Sequence, residues 1–212
     1  MSPGLDEIEA RAAREHLAVF GVVGDDLPKG IATLVLLGPK EPGFWDMFTA
    51  TPEYADGAPD PLDRWSARVI GRVARDLDAS AYLPFGGPPY QPFIQWAQAS
   101  GRAHVSPVGL LVHDTAGLMV SYRGALGFAH RIDAPAPPPS PCETCRETPC
   151  LGACPVDALG PDGYDVPACK ADLDRPGNDC MTRGCRVRRL CPVSQSYGRQ
   201  YSQSAFHMRA FR

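Results

Sequence analysis

Eight cysteines lie between positions 142 and 191 of this 212-residue chain, and none precedes position 142. The first run reads Cys142-x2-Cys145-x4-Cys150-x3-Cys154-Pro155, and the second set is Cys169, Cys180, Cys185 and Cys191-Pro192. Each group of four closes on Cys-Pro. Thiolates are soft ligands, and eight of them meet the demand of two cubane [4Fe–4S] clusters at four each. Two structural zinc sites or a set of disulfides would draw on the same residue type. Zinc sites commonly pair two Cys-x2-Cys knuckles, and this chain has one, Cys142 with Cys145. Ferredoxin-type runs instead end on Cys-Pro, where the proline sends the backbone in a new direction. The pattern favours iron–sulfur chemistry, which means electron transfer, and says nothing about the reaction served.

The rest of the composition bounds the class. With 44% apolar and 21% charged residues the chain reads as an ordinary globular protein. No apolar stretch approaches the roughly 20 residues that span a bilayer, so no membrane partner is expected. The first residues carry Asp6, Glu7, Glu9 and Glu15 and lack the basic start and apolar run of a secretory signal. The expected location is the cytoplasm, where cysteines stay reduced and a dense set serves metal. The net charge of −3 is uneven, because residues 180–212 hold seven arginines and no Asp or Glu. Nucleic acid is one reading of such a tail. The better one is that cations beside an anionic cluster tune its potential.

The elements that must position these cysteines follow from patterning. Residues 135–141, Pro-Ala-Pro-Pro-Pro-Ser-Pro, suit a stiff extended spacer and neither helix nor central strand. The expected organisation is therefore 1–134 as an α/β domain, 135–141 as linker, and 142–212 as a small two-cluster module with a basic tail. Within 1–134, Leu5 to Val19 has helical apolar spacing. Ile31 to Leu37 suits a buried strand. Pro61 opens a helix through Leu77, with Asp60 as N-cap and Asp63 in its first turn. Ala81 to Phe85 predicts a short strand and Pro92 to Ala99 a helix. Val108–His113 and Leu118–Tyr122 predict two strands about Asp114-Thr115-Ala116-Gly117. The sum is a mixed sheet with helices on its faces. The cysteine segment has few apolar residues, so metal must supply much of its folding energy.

The cysteine order over about 140–195, with a lone Cys169 between the two runs, resembles the iron–sulfur half of epoxyqueuosine reductase and the reductive dehalogenases. That resemblance implies a bacterial-ferredoxin-like 2×[4Fe–4S] module with a crossover. One cluster takes Cys142, Cys145, Cys150 and Cys191, and the other takes Cys154, Cys169, Cys180 and Cys185. Upstream, Asp60-Pro61-Leu62-Asp63, Gly71-Arg72-Val73, His113-Asp114-x2-Gly117 and Tyr122-Arg123-Gly124 resemble the cobalamin-processing proteins that remove the upper ligand of vitamin B12. This second resemblance, over about 30–130, implies a nitroreductase-like α/β/α sandwich and a corrinoid pocket built from Gly86, Gly87, Tyr90, Arg123 and Gly124. Two departures stand out. The 86–90 loop, Gly-Gly-Pro-Pro-Tyr, lacks the acid that serves epoxyqueuosine reductase as proton donor, and the cobalamin-processing proteins carry no clusters.

Together these imply an iron–sulfur oxidoreductase that passes electrons through two clusters to cobalamin for its reduction or processing. A ferredoxin-type carrier with no second cofactor and a cobalamin delivery protein are the alternatives, and a flavin could replace the corrinoid. The implied partners are an electron-donor protein or reductase and a corrinoid enzyme, with a homodimer left open. Catalytic residues remain unassigned. Asp60 and Asp63 read first as helix-start residues, Phe93 and Trp96 as core, His104 and His113 as ordinary hydrogen-bonded imidazoles, and His207 as part of an unanchored tail, with capping a cluster or cofactor pocket as its alternative.

Overall fold

Every residue of the strand Thr33–Pro39 is buried, so it is covered on both faces and reads as a continuous apolar run. A computed structural model describes residues 2–212 and shows a mixed helix-and-strand, α+β chain. Its first elements are α1 (Leu5–Ala13), β1 (Leu17–Val23), β2 (Thr33–Pro39), α2 (Phe44–Thr49), α3 (Pro52–Ala55), α4 (Pro61–Asp76), β3 (Ser80–Tyr82) and α5 (Phe93–Ala99). Then come β4 (Ala103–Val105), β5 (Leu111–His113) and β6 (Gly124–Phe128). The cysteine-bearing segment holds α6 (Pro141–Thr144), β7 (Leu159–Gly160), β8 (Gly163–Tyr164), α7 (Val166–Leu173), α8 (Cys180–Arg183), α9 (Arg186–Leu190), α10 (Pro192–Ser196) and α11 (Tyr201–Phe211). No helix among the described residues is long and apolar enough to cross a membrane.

The chain folds as two units, one formed by residues up to Arg102 with Ser121–Pro138, the other by Ala103–Val120 with Pro139–Arg212. The first unit is built on an antiparallel sheet in the order β1-β2-β6-β3. Helix α4 packs on β3 and β6, while α1 and α5 pack on β1. Pro61 starts α4, and Leu62, Trp65, Val69, Ile70 and Val73 fall on one buried face at helical spacing. Trp65 meets Phe44 and Phe48 edge-on, at ring-centroid distances of 5.3 and 6.1 Å.

Three expectations change. The helical spacing read from Leu5 to Val19 stops at Ala13, because Leu17–Val23 is β1, the sheet's edge partner to β2. The strand pair expected about residues 114–117 is a different hairpin. β5 pairs with β4, and Ser106-Pro107-Val108-Gly109 makes the turn, with the Gly109 N–H on the Ser106 carbonyl at 2.9 Å. Proline presets the second turn position, and Gly109 takes φ +73°. Residues 114–117 form only a tight loop closing on His113, and 118–122 is not a strand. Strand β6 was not expected, since Gly124 and Gly127 weaken its β signal. Both glycines are packing requirements: a Cβ on Gly127 would lie 2.7 Å from the Tyr82 ring.

The hairpin has a consequence for organisation. Residues 103–120, assigned by sequence to the α/β domain, fold with the cysteine-bearing segment. Val108, Val112 and Leu118 join Leu159 and Val187 in one buried cluster that also contains Cys150 and Cys191. At the turn after β5, Gly117 (φ +56°) lies so close to Ser194 that a Cβ would come within 2.5 Å of its backbone nitrogen. Arg188 and Arg199 donate to the carbonyls of Leu118 and Met119, at 2.6 and 2.9 Å.

Candidate metal centres

Short helices deliver the cysteines at their ends. Ser140 caps α6, accepting from the Cys142 N–H at 3.4 Å, and Pro141 opens the helix. Cys142 sits in its first turn and Cys145 follows its last residue. Cys191 joins α9 to α10, with Pro192 starting the latter. A cavity of about 400 Å³ in this unit is lined by Cys142, Cys145, Cys150 and Cys191 together with Ser106 and Leu118. The last cysteine of the sequence thus faces the same space as the first three. Burial above all, and then the charge of Cys150, Cys191 and Cys145, pushes the Cys142 thiol up. Cys150 is pushed up by burial too, with Cys191 and Cys145 adding to it and the Leu151 N–H opposing.

The other four cysteines are linked by their mutual charges, Cys154 and Cys185 with Cys169 and Cys185 with Cys180. Cys169 lies on α7, whose N-cap Asp165 accepts from the Ala168 N–H at 2.9 Å. Cys180 opens α8, and Cys185 precedes α9. The Cys169 thiol is pushed up mainly by burial, opposed by the Tyr164 hydroxyl and supported by the charge of Cys185 and Cys154. Burial likewise raises Cys180; the Arg186 N–H opposes it, and Cys185 adds to it. Two donors already point at sulfur here, the Tyr164 hydroxyl on Cys169 and the Ala158 N–H on Cys154, both at 3.3 Å. Burial, then Cys169, hold the Tyr164 phenol well above its usual range, so it stays a donor.

The donor chemistry can be tested against the candidate groups. All eight cysteines are free thiols, with no disulfide among the described residues. No three Cys, His, Asp or Glu side chains among those residues gather as a single ion requires. Zinc would demand four ligands about one point at roughly 2.3 Å to sulfur. A cubane attaches each thiolate to a different iron, so its ligands stand around a volume instead of a point. Ser106 supplies an independent indication. It is 5% exposed, lines the same cavity as the four cysteines, and its hydroxyl has no hydrogen-bond partner among the described residues. A buried hydroxyl left so costs about 1–3 kcal/mol unless something in the cavity accepts its proton. A sulfur-rich group offers acceptors there.

The remaining candidates fall in different places. Arg123 is largely buried and donates to Asp63 at 3.3 Å and to its own Tyr122 carbonyl at 3.1 Å. Burial pulls its guanidinium down and Asp63 opposes this. Asp63 is therefore an ion-pair partner, while Asp60 precedes α4 in a left-handed conformation without a side-chain capping bond. Gly124 is the first residue of β6, and a Cβ there would lie 3.0 Å from Ile70 and from the Tyr82 carbonyl. Gly86 (φ +85°) has open space around it, Gly87 folds against the Tyr90 ring, and Tyr90 is exposed. Phe93 and Trp96 are core residues in edge contact at 5.2 Å. The fully buried His113 accepts the Thr115 N–H at Nδ1, and His207 lies on α11 beside Phe206. His104, on β4, keeps a buried Nε2 without a partner among the described residues.

The basic segment is largely engaged inside its own unit. Arg183 and Arg189 pair with Asp179, and Arg212 pairs with Asp174. The Arg183 guanidinium also lies 4.5 Å from the Tyr201 ring centroid. Compared with protein-family models, curated proteins and solved structures, the chain matches none.

Sequence reasoning missed Ser106, Ser140 and Tyr164. Ser140-Pro141 carries a helix-start signal that was legible. Tyr164 follows Gly160-Pro161-Asp162-Gly163, a turn signal placing it five residues before Cys169. Ser106 gave no signal, because it is 36 residues from the nearest cysteine.

Proposed function

We propose that this chain is an iron–sulfur electron-transfer protein whose second unit holds two [4Fe–4S] clusters. Cys142, Cys145, Cys150 and Cys191 would bind one, and Cys154, Cys169, Cys180 and Cys185 the other, in a ferredoxin-like crossover. The observation that carries the reading is the shared cavity: Cys191 faces the same space as Cys142, Cys145 and Cys150 although it lies 41 positions beyond Cys150. When bound, such clusters supply one-electron redox chemistry. The chain's own residues exclude water by burying Cys150, Cys180 and Cys191. They also aim N–H and O–H donors at sulfur, which favours the more negative state of a cluster.

The acceptor proposed is a corrinoid held by the first unit, as a nitroreductase-like α/β/α sandwich would hold it. Its support is the sequence resemblance at residues 60–73 and 122–124, which lie in that unit, together with a central strand covered on both faces. A second reading has its own observation. Gly124 and Arg123 are occupied by Ile70, Tyr82 and Asp63, which favours a carrier without a second cofactor.

Two measurements separate these readings. Protein purified without oxygen is expected to hold eight iron and eight sulfide per chain, with a reducible [4Fe–4S] EPR signal; stoichiometric zinc, or far less iron, removes the cluster reading. Hydroxocobalamin is then added at equal concentration, and the visible spectrum is recorded during dithionite reduction. A protein-dependent base-off spectrum with cobalt reduction supports the corrinoid. Cluster bleaching with an unaltered corrinoid spectrum supports the carrier.

A further inference from the structure

We propose that Tyr164 sets the reduction potential of the cluster bound by Cys154, Cys169, Cys180 and Cys185; this rests on the two-cluster reading. The Tyr164 hydroxyl donates to the Cys169 sulfur at 3.3 Å. Its position is fixed from two sides. Tyr164 ends the small β7–β8 hairpin, paired with Leu159, and the Asp165 N–H bonds the Ala158 carbonyl at 2.8 Å. On its face the ring stacks on Phe211, with centroids 5.9 Å apart and planes 13° from parallel. The Lys170 ammonium lies 5.2 Å from the centroid of the same Phe211 ring. The hydroxyl is therefore held by packing and does not merely swing past the sulfur.

The physical consequence follows from charge. Reduction adds one negative charge to a cluster, part of which resides on its ligating sulfurs. A hydrogen bond to such a sulfur strengthens as that charge grows, so it stabilises the reduced form and raises the potential. An exposed tyrosine ring with no such bond would have no reason to change one cluster and spare the other. Tyr164 is partly exposed, at 39%, so substituting its hydroxyl leaves the core of the unit unchanged.

The test is a potentiometric EPR titration of anaerobically purified, fully loaded protein. Tyr164→Phe keeps the ring and the stack and removes only the hydroxyl. The expected result is a fall in one of the two midpoint potentials, equivalent to about tenfold in the reduction equilibrium, or about 59 mV for a one-electron couple. The other potential stays in place, and the iron content remains eight. Phe211→Leu, which keeps the hydroxyl and removes the stack, is expected to lower the same potential by less. Unchanged potentials in loaded Tyr164→Phe overturn the proposal. So does a Phe211→Leu shift larger than that of Tyr164→Phe, since packing would then be the cause. Loss of iron confined to Tyr164→Phe overturns it in favour of a role in assembly. Fewer than eight irons in the unsubstituted protein defeats the cluster reading instead, and is seen before any titration.

Discussion

The first unit closes over Trp65, Phe44, Phe48 and Phe128, while the second closes over valines, Leu118 and its own thiols. Of the twelve largest fully buried side chains, Leu118 alone belongs to the second unit. Burying a Leu, Ile or Phe side chain stabilises by about 1.5–3 kcal/mol, so the first unit has a sufficient core of its own. In the second, Cys150 and Cys191 are fully part of the apolar cluster, and Cys142, Cys154 and Cys185 pack against it. A core with ligands at its centre is stable only to the extent that the ligands are occupied. On the two-cluster proposal, the difference is that one unit is folded by its own side chains and the other by what its cysteines would hold.

The largest expected effect breaks that comparison directly. Chelating the iron under reducing conditions is expected to abolish hydrogen-exchange protection across α6–α10 while β1, β2 and β6 stay protected. Protection retained in both units would show that the second has an adequate core without metal. The reciprocal change is Trp65→Ala in the first unit. Removing a 1% exposed indole that meets two phenylalanine rings is expected to cost about 3–5 kcal/mol. Denaturant unfolding followed by Trp fluorescence would show it, with iron content unaffected.

These expectations also explain what was legible in the sequence. Strand β2 and helix α4 were readable because Leu34–Leu37 is an unbroken apolar run and Trp65, Val69 and Val73 recur at helical spacing. The cysteine runs stood out because residue type and spacing recur together, and cluster ligation stays the proposal drawn from them. Strand β6 was not, because its glycines are required by Tyr82, Ile31 and Ile70, which lie far away in sequence. The 103–120 hairpin was assigned to the wrong neighbours for the same reason. Its apolar residues show that it must be covered, and nothing local says that Leu159 and Val187 will cover it. The Ser106 hydroxyl belongs to the same class of long-range fact.

A smaller effect follows from the thiols. Cys142, Cys150, Cys169 and Cys180 are all pushed above the usual cysteine range, chiefly by burial. A group whose pKa is higher folded than unfolded gives stability that is present below the unfolded value and lost as pH rises through the folded one. In metal-free protein this loss is expected to begin above about pH 8.5, the unperturbed thiol value. In loaded protein the thiols are already deprotonated on iron, so the alkaline loss of stability is expected to vanish. Loading releases those protons, so iron uptake is expected to tighten with rising pH. Parallel alkaline melting curves for the two forms would contradict this.

The smallest effect distinguishes the two states by its sign. The Ser106 hydroxyl is buried and has no hydrogen-bond partner among the described residues. In protein stripped of metal, Ser106→Ala is expected to stabilise by about 1 kcal/mol. In loaded protein the same hydroxyl has sulfur within its cavity to donate to, and its removal is expected to destabilise by a similar amount. Urea unfolding of both forms reads the two signs in one experiment. Stabilisation in both states would mean that nothing in the cavity accepts the Ser106 proton, and that the Cys142 group is filled by something without acceptor sulfurs.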